Sequence, residues 1–325
     1  MKKIIAIVAG GDSSEHDVSM ESAKGIYSYI DKDKYRLYII ELTRHSWEAI
    51  LPDATRSTVD KNDFSFIDKG EKVKPDLAYI TIHGTPGENG ILQGYFELIG
   101  IPYSTCDVLV SALTFSKFTL NLYLKELGVR VADSILIHKG HPVNDDDIVS
   151  RIGLPCFVKP NDSGSSFGVT KVKTKEDLQP ALEEAFKESD KVMVEEFMDG
   201  IELANGCYKT KQKSVVLPIT EVVSKNEFFD YDAKYKGKAI EITPARISPE
   251  LTARVQKLTS AIYDILGCKG IVRVDYIITE GDKINMLEMN TTPGMTTASF
   301  IPQQVRAAGI DIKDVMSDII EDFFS

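Results

Sequence analysis

Cysteine is scarce in this sequence, and the few cysteines are far apart. The four are Cys106, Cys156, Cys207 and Cys268, and the nearest two are 50 positions apart. This spacing excludes a CxxC motif and argues against a structural zinc site or a disulfide framework. We therefore expect neutral, buried thiols and a cytoplasmic protein, because the cytosol keeps thiols reduced.

Positive charge is also in deficit, and long apolar runs are lacking. There are 38 Lys and Arg residues against 49 Asp and Glu residues, which gives a net charge of −11. This balance excludes a large nucleic-acid surface but allows one locally basic pocket. No stretch approaches the roughly 20 apolar residues of a membrane helix, and the apolar run near the start is too short for a signal peptide. We expect no nucleic-acid partner and no membrane partner.

The remaining composition is that of a globular protein with two or three domains. The chain has 325 residues, of which 43% are hydrophobic and 27% charged, so it can bury enough apolar surface to fold. Strands and helices alternate over residues 1–105, which predicts an open parallel α/β sheet. Residues 106–198 read as a small mixed β/α unit, and residues 199–325 as mostly antiparallel strands.

Several element boundaries follow from apolar spacing and from turn residues. We expect strands at 4–9, 35–42 and 77–82 and a helix at 18–30 with Ser14 or Ser19 as its N-cap. A helix is predicted over 116–127, a single strand over 214–223, and one helical region over 301–324. The turn at 280–282 predicts a hairpin between strands 271–279 and 284–289.

A segment rich in glycine and serine follows a predicted strand. It runs from Lys159 to Gly168. Glycines let a backbone approach phosphate oxygens, and a lysine supplies a positive charge. A plain hairpin turn remains the alternative at this point.

Oxygen-bearing side chains converge on the predicted hairpin at the end of the sequence. Arg273 and Asp275 share one strand face, and Glu288 and Asn290 share a face of the partner strand, because side chains alternate with period two. Such oxygen ligands suit Mg²⁺. The alternative is a surface ladder of opposite charges.

Three further segments could contribute polar groups to a site. Glu15, after the first strand, suits an ammonium ligand or is simply a helix N-terminal acid. His83, after the third strand, is either a ligand contact or a satisfied structural histidine. The turn around Gly294 exposes N–H groups that can stabilise an oxyanion, although alone it is only a turn.

Seven segments in order resemble one family. They are GGDSSEHDVS, HGTPGENG, KPNDSGSSFG, EEFMDGIE, YDAKY, RVDY and EMNTTPGMT. Together they resemble the D-alanine–D-alanine ligases of the ATP-grasp superfamily, over nearly the whole chain. The resemblance implies an ATP-grasp fold of mixed α/β and α+β class. An N-terminal open parallel α/β domain at 1–105 would precede a central subdomain at 106–198 and a C-terminal subdomain at 199–325, and these two α+β subdomains would hold ATP.

The resemblance also implies how ATP is held. Lys117 and Lys159 would contact the phosphates, the backbone of 195–198 the adenine, and Glu202 the ribose. The full set that it implies for the nucleotide is Lys117, Lys159, Glu195, Phe197, Met198, Glu202, Lys234 and Leu287. Glu196 departs from a lysine of some members. Asp275, Glu288 and Asn290 match ligands of two Mg²⁺ ions, for which Mn²⁺ could substitute.

The catalytic residues that it implies are Glu15, His83, Ser165, Tyr235, Arg273, Gly294 and Ser299. Glu15 would hold the ammonium of the first D-alanine, with Ser165 and Tyr235 as hydrogen-bond partners. Arg273 and the Gly294 N–H would stabilise an oxyanion. Ser299 and Lys234 would contact the carboxylate of the second substrate.

The implied reaction is formation of D-alanyl-D-alanine for peptidoglycan through an acyl phosphate, with a lid at 224–238 and a homodimeric enzyme. The alternatives are a D-alanine–D-lactate ligase or another ATP-grasp carboxylate–amine ligase, and Tyr235 favours the amine acceptor. A non-catalytic ATP-binding module and a dinucleotide oxidoreductase are weaker alternatives. The group that deprotonates the attacking amine is left open.

Overall fold

The N-terminal residues form a sheet whose central strands are parallel. The computed structural model describes residues 2–162, 164, 167–224 and 239–324. The strands of the first unit are β1 (Lys3–Gly10), β2 (Tyr35–Leu42), β3 (Trp47–Ile50), β4 (Arg56–Thr58), β5 (Phe66–Asp68), β6 (Glu71–Val73) and β7 (Leu77–Ile80), and its helices are α1 (His16–Tyr29) and α2 (Ile91–Ile99).

The strand order of this sheet is β4-β3-β2-β1-β7. β1 pairs in parallel with β2 and β7, whereas β3 and β4 extend one edge in antiparallel pairing. The expected parallel sheet is therefore confirmed at its centre and wrong at that edge. The apolar run of β1 reflects burial, since residues 5–9 are inaccessible to solvent.

Helix α1 begins differently from the sequence expectation. Its N-cap residue is Glu15, and no side-chain cap is formed. Ser19 lies inside the helix, where its Oγ donates to the carbonyl of Thr81 at 2.8 Å and accepts from the Gly10 N–H at 2.9 Å. The prediction of Ser14 or Ser19 as N-cap was wrong, because Ser19 instead ties the helix to the ends of two strands.

The single tryptophan belongs to an aromatic cluster on this sheet. The Trp47 ring meets Tyr95 edge-on at 5.0 Å and Phe64 at 6.1 Å, measured between ring centroids. Phe64 in turn packs on Phe96 at 4.9 Å. Edge-to-face contacts of this kind stabilise a core beyond the area that the rings bury.

The second unit is an antiparallel sheet with helices around it. It comprises α3 (Val108–Phe115), α4 (Lys117–Glu126), β8 (Ser134–His138), α5 (Asp145–Ile152), β9 (Cys156–Pro160), β10 (Thr170–Val172), α6 (Leu178–Glu188) and β11 (Lys191–Glu196). The order β10-β9-β11-β8 confirms the hairpin expected around the glycine-rich segment. Helix α3 was not predicted.

The third unit is a larger antiparallel sheet. It comprises β12 (Ile201–Lys209), β13 (Ser214–Val216), β14 (Thr220–Ser224), β15 (Ala239–Ile242), α7 (Pro249–Leu266), β16 (Ile271–Thr279), β17 (Lys283–Asn290), α8 (Phe300–Ala307) and α9 (Ile312–Asp322). The order is β15-β14-β12-β16-β17, with β13 beside β12. The strand predicted over 214–223 is two strands, and the last helical region is two helices, because the chain turns at Gly309, whose φ is +69°.

The last two helices pack against the first sheet. Val305 of α8 and Met316 of α9 join a buried cluster with Ile5 and Ile26 of the N-terminal unit. The two ends of the chain therefore share one core.

All four cysteines are free and buried. Burial raises the pKa of the Cys156 thiol to about 11, so it stays neutral at physiological pH. The expectation of buried thiols is confirmed for all four. In the described ranges, no helix combines the length and apolarity needed to cross a membrane.

Two glycines inside helices, one in a crowded position and one in an open position, test how closely the helices pack against the rest of the chain. A Cβ at Gly25 of α1 would lie 2.3 Å from the Met295 carbonyl oxygen, whereas a Cβ at Gly94 of α2 would find its nearest atom at 3.9 Å. We expect Gly25→Ala to lower the free energy of unfolding by about 1–2 kcal/mol, because the clash outweighs the gain of about 1 kcal/mol in helix propensity. Gly94→Ala should instead raise it. Denaturant titration measures both, and equal effects of the two changes would contradict the close packing.

Candidate active site

Two neighbouring cavities lie where the three units meet. The larger has a volume of about 520 Å³ and the smaller about 130 Å³. They share the wall residues Lys117, Gly164, Arg273, Glu288 and Phe300. Two ligands bound in the two cavities would therefore meet at this wall.

Glu15 and His83 line one end of the larger cavity. Glu15 directly precedes α1, and a Cβ at Gly164 would lie only 2.4 Å from its Oε2 atom. Glycine is thus required where the glycine-rich segment approaches Glu15. The buried His83 ring lies 3.4 Å from the Ser22 hydroxyl, so this histidine both lines the cavity and has a structural contact.

Glu88 is a cavity residue that the sequence reasoning did not single out. Its Oε2 accepts the Gly84 N–H at 2.8 Å. Burial raises the pKa of Glu88, the nearby Glu15 carboxylate adds to this, and His83 opposes it. The signal was available, since Glu88 lies in the same HGTPGENG segment as His83.

The turn around Gly294 closes the larger cavity and is fixed from two sides. The Met295 N–H donates to the Ser22 hydroxyl at 3.3 Å, and the Thr292 hydroxyl donates to the Ile82 carbonyl at 3.2 Å. A Cβ at Gly294 would lie 2.9 Å from Ser299 Oγ. Gly294 and Ser299 therefore lie next to each other, as expected of residues that would contact the oxyanion and the carboxylate of the second substrate.

The hairpin of β16 and β17 brings the acids together as predicted. Asp275 lies opposite Glu288, and Arg273 opposite Asn290. The Arg273 guanidinium donates two hydrogen bonds to Asp275, of 2.8 and 2.7 Å, and lies over the Phe300 ring at 5.2 Å. The ion pair therefore lies along one strand, on a half-buried face that lines the cavities, and does not form the cross-strand ladder of opposite charges weighed as an alternative.

The described residues contain no group of three His, Cys, Asp or Glu side chains placed to hold a metal ion. What they do contain is two opposed carboxylates and the Asn290 amide, whose Nδ2 lies 3.4 Å from Asp275 Oδ2. This oxygen-donor set fits Mg²⁺, which needs few protein ligands when phosphate and water complete its shell.

A buried ion pair lies beside the smaller cavity. Lys159 Nζ donates to Glu195 Oε1 at 2.5 Å, and the two residues are 7% and 3% exposed. Glu195 Oε2 is buried and has no hydrogen-bond partner among the described residues. A buried oxygen without a hydrogen-bond partner, next to a lysine, fits a ligand that carries both hydrogen-bond donors and anionic groups, as a nucleotide does.

Other residues expected at the nucleotide lie around the same cavity. Met198, Glu202 and Leu287 line it together with Lys159 and Glu195. The Phe197 side chain packs on Phe157 instead, with ring centroids 5.9 Å apart. Its expected contact, through the backbone, stays a prediction.

Lys117 is the first residue of α4, and Asn161 positions it. The fully buried Asn161 accepts the Phe118 N–H at 2.9 Å through Oδ1 and the Lys117 N–H at 3.3 Å through its carbonyl. A lysine at a helix N-terminus adds to the positive end of the dipole, which favours an anion there. Asn161 was missed as a site residue, although it lies within the glycine-rich segment.

Glu241 of β15 is another cavity residue that was missed. It accepts a hydrogen bond from Gln303 Nε2 at 2.5 Å. Burial raises the pKa of Glu241, while Gln303 and Arg273 oppose the rise. An acid between two isoleucines, Ile240 and Ile242, was the available signal. Three expected site residues, Ser165, Lys234 and Tyr235, lie outside the described residues. So does the predicted lid at 224–238, apart from Ser224, which ends β14.

Family comparisons cover both halves of the chain. The family model described as "D-ala D-ala ligase N-terminus" matches residues 4–106, and the one described as "D-ala D-ala ligase C-terminus" matches residues 123–321. The seven segments quoted above lie within these two matches.

Similar proteins agree with this result. A D-alanine–D-alanine ligase from Phocaeicola vulgatus is 67% identical over 324 residues, which is 100% of both chains. The VanG D-Ala:D-Ser ligase from Enterococcus faecalis is 31% identical, with a TM-score of 0.87 over 99% of this chain and 100% of that one. A Bacillus anthracis D-alanine–D-alanine ligase complexed with ATP is 31% identical, with a TM-score of 0.78 over 99% and 97%. The expected ATP-grasp fold is confirmed, and the chain belongs to the D-alanine–D-alanine ligase family.

Proposed function

We propose that this protein joins two D-alanine molecules into D-alanyl-D-alanine in the cytoplasm and releases ADP and phosphate. The product would serve peptidoglycan precursor synthesis. The observation that carries the proposal is the common wall of the two cavities, because Lys117, Arg273 and Glu288 face both. A phosphoryl group held at this wall lies between a nucleotide on one side and a carboxylate on the other.

ATP binds with its base and ribose toward the smaller cavity and its phosphates at the common wall. Lys159 and Lys117 contact its phosphates, and the dipole of α4 adds positive potential. Glu202 contacts the ribose. The backbone of 195–198 binds the adenine base, and Leu287 packs against that base. The Lys159–Glu195 pair keeps the lysine in place, because a buried lysine without a carboxylate partner would lose its charge.

Asp275, Glu288 and Asn290 are the residues that would hold two Mg²⁺ ions. When bound, these ions neutralise phosphate charge and orient the phosphoryl group for transfer. The Arg273–Asp275 pair holds the Asp275 carboxylate in one orientation on the strand.

The first D-alanine lies in the larger cavity with its ammonium on Glu15. His83 lines this end and maintains its shape, and Ser165 and Tyr235 are proposed as hydrogen-bond partners of Glu15. The substrate carboxylate then faces the common wall, where its oxygen attacks the terminal phosphorus of ATP. The bond from phosphorus to the ADP oxygen breaks, and an acyl phosphate forms.

The second D-alanine attacks the acyl carbon through its unprotonated amine. The carbonyl electron pair moves to oxygen, and the Arg273 guanidinium and the Gly294 N–H stabilise that oxyanion. When the carbonyl re-forms, phosphate leaves with the bonding electron pair. Ser299 and Lys234 contact the carboxylate of this second substrate.

An exposed apolar face supports the proposal of a homodimer. Leu98 of α2 and Leu109 of α3 are 88% and 74% exposed, and Ile91 of α2 is 62% exposed. The start of α2 packs tightly on α3, since a Cβ at Gly90 would lie 2.7 Å from the Val108 carbonyl oxygen. Adjacent apolar side chains of this size are typical of a covered surface.

The function is tested by ATP turnover of the purified protein with D-alanine, L-alanine or D-lactate. We expect phosphate release and dipeptide formation with D-alanine and little of either with L-alanine. Depsipeptide in place of dipeptide would favour the D-lactate alternative. Nucleotide turnover without any condensed product would contradict the proposal.

Glu288→Gln tests the metal set. The change removes one negative charge with almost no change in shape, so we expect turnover to fall by at least about 10²-fold. Glu280→Gln is the control, because Glu280 is an exposed acid in the turn of the same hairpin. Activity of the Glu288 variant within a few-fold of the control would remove Glu288 from the set.

Leu98→Glu combined with Leu109→Glu tests the dimer. We expect the protein to become monomeric, because two buried charges without partners would oppose association. Light scattering after gel filtration measures the mass. Ile265→Glu, at another partly exposed apolar residue, should leave the dimer intact; a dimer that survives the double change would place the interface elsewhere.

A further inference from the structure

Glu241 faces the larger cavity from the edge strand of the third sheet. In the register of β15 and β14 it lies opposite Val222, which in turn lies opposite Glu202 of β12. Val222 and Glu202 line the smaller cavity, so this row of side chains points to the cleft. Ile240, the neighbour of Glu241, is exposed on the other face.

The carboxylate of Glu241 is held in place from the adjoining helix. Gln303 Nε2 donates to Glu241 Oε2 and also donates to the Ala298 carbonyl at 2.7 Å. Ala298 directly precedes Ser299, so the Gln303 amide links Glu241 to the segment expected to bind the second substrate. Within the described ranges, Glu241 Oε1 accepts no hydrogen bond.

Several charged side chains line the larger cavity. Both amino-acid substrates carry an ammonium group, and Glu15 provides for only one of them. Arg273, Ser299 and Glu241 line the same cavity. Another carboxylate that lines the cavity, Glu21, already has a cation, since Lys24 Nζ lies 2.6 Å away.

We propose that Glu241 binds the second substrate in its ammonium form, before the amine loses the proton and attacks, and so selects an amino-acid acceptor over a hydroxy acid. Gln303 acts as the positioning residue for this carboxylate. A hydroxy acid carries no positive charge in this place and gains nothing from Glu241, whereas an ammonium gains a charge-assisted hydrogen bond. The inference rests on the proposed function.

The test compares acceptors in Glu241→Gln. Glutamine keeps the shape of the side chain and can still accept the hydrogen bond from Gln303, so folding should be preserved. The acceptors are D-alanine, D-lactate and hydroxylamine, which is uncharged at neutral pH and traps the acyl phosphate as a hydroxamate. Glu21→Gln is the control for the loss of one negative charge at the cavity.

We expect the Michaelis constant of D-alanine as acceptor to rise about tenfold, in line with the loss of one charge-assisted hydrogen bond. The Michaelis constant of the first D-alanine and the rate of hydroxamate formation should stay within twofold. With D-alanine and D-lactate present together, the ratio of ester to dipeptide should rise about tenfold. Gln303→Leu should shift this ratio in the same direction by a smaller factor.

An unchanged product ratio in a variant that still forms dipeptide would overturn the inference and leave the proposed function intact. An equal loss with all three acceptors would also overturn it, because it would assign Glu241 a structural role. Failure of the unmodified protein to release phosphate with D-alanine would instead contradict the proposed function.

Discussion

The cleft depends on the pairing of its cations with carboxylates of the strands that surround it. Lys159 is paired with Glu195, Arg273 with Asp275, and Lys117 lies 3.9 Å from Glu288. A lone charge in such surroundings would cost several kcal/mol or be lost by proton transfer. Because the partners lie on the same strand, on an adjacent strand, or on a helix and a strand that face each other, the fold itself sets the positions of the charges before any ligand arrives.

The same cleft is assembled from segments far apart in the chain. The turn around Gly294 is bonded to Ser22 of α1 and to the end of β7, and Gly164 contacts Glu15. The last helices share a core with β1. A change in how the units pack would therefore move residues that line both cavities at once.

Sequence reasoning located most strands because their apolar patterns are local. It predicted that Asp275, Glu288 and Asn290 converge across one hairpin, because side chains alternate along each strand and the turn joins the two strands. It did not find the antiparallel edge of the first sheet. β3 and β4 are short, and they are recognised from their hydrogen-bonded pairing with a neighbouring strand, not from an apolar pattern in the sequence. Ser19 was misassigned because its role lies in hydrogen bonds to two strands. Glu88, Asn161 and Glu241 were missed, because their importance comes from neighbours that only the fold brings near.

The position of Trp47 has a spectroscopic consequence. All of the tryptophan fluorescence of this protein originates in one aromatic cluster of the N-terminal sheet, and the rings of that cluster line neither of the two cavities. The emission therefore reports on the packing of the first unit alone. Together with circular dichroism, which averages over every helix and strand, it separates the melting of the first unit from that of the two sheets that line the smaller cavity.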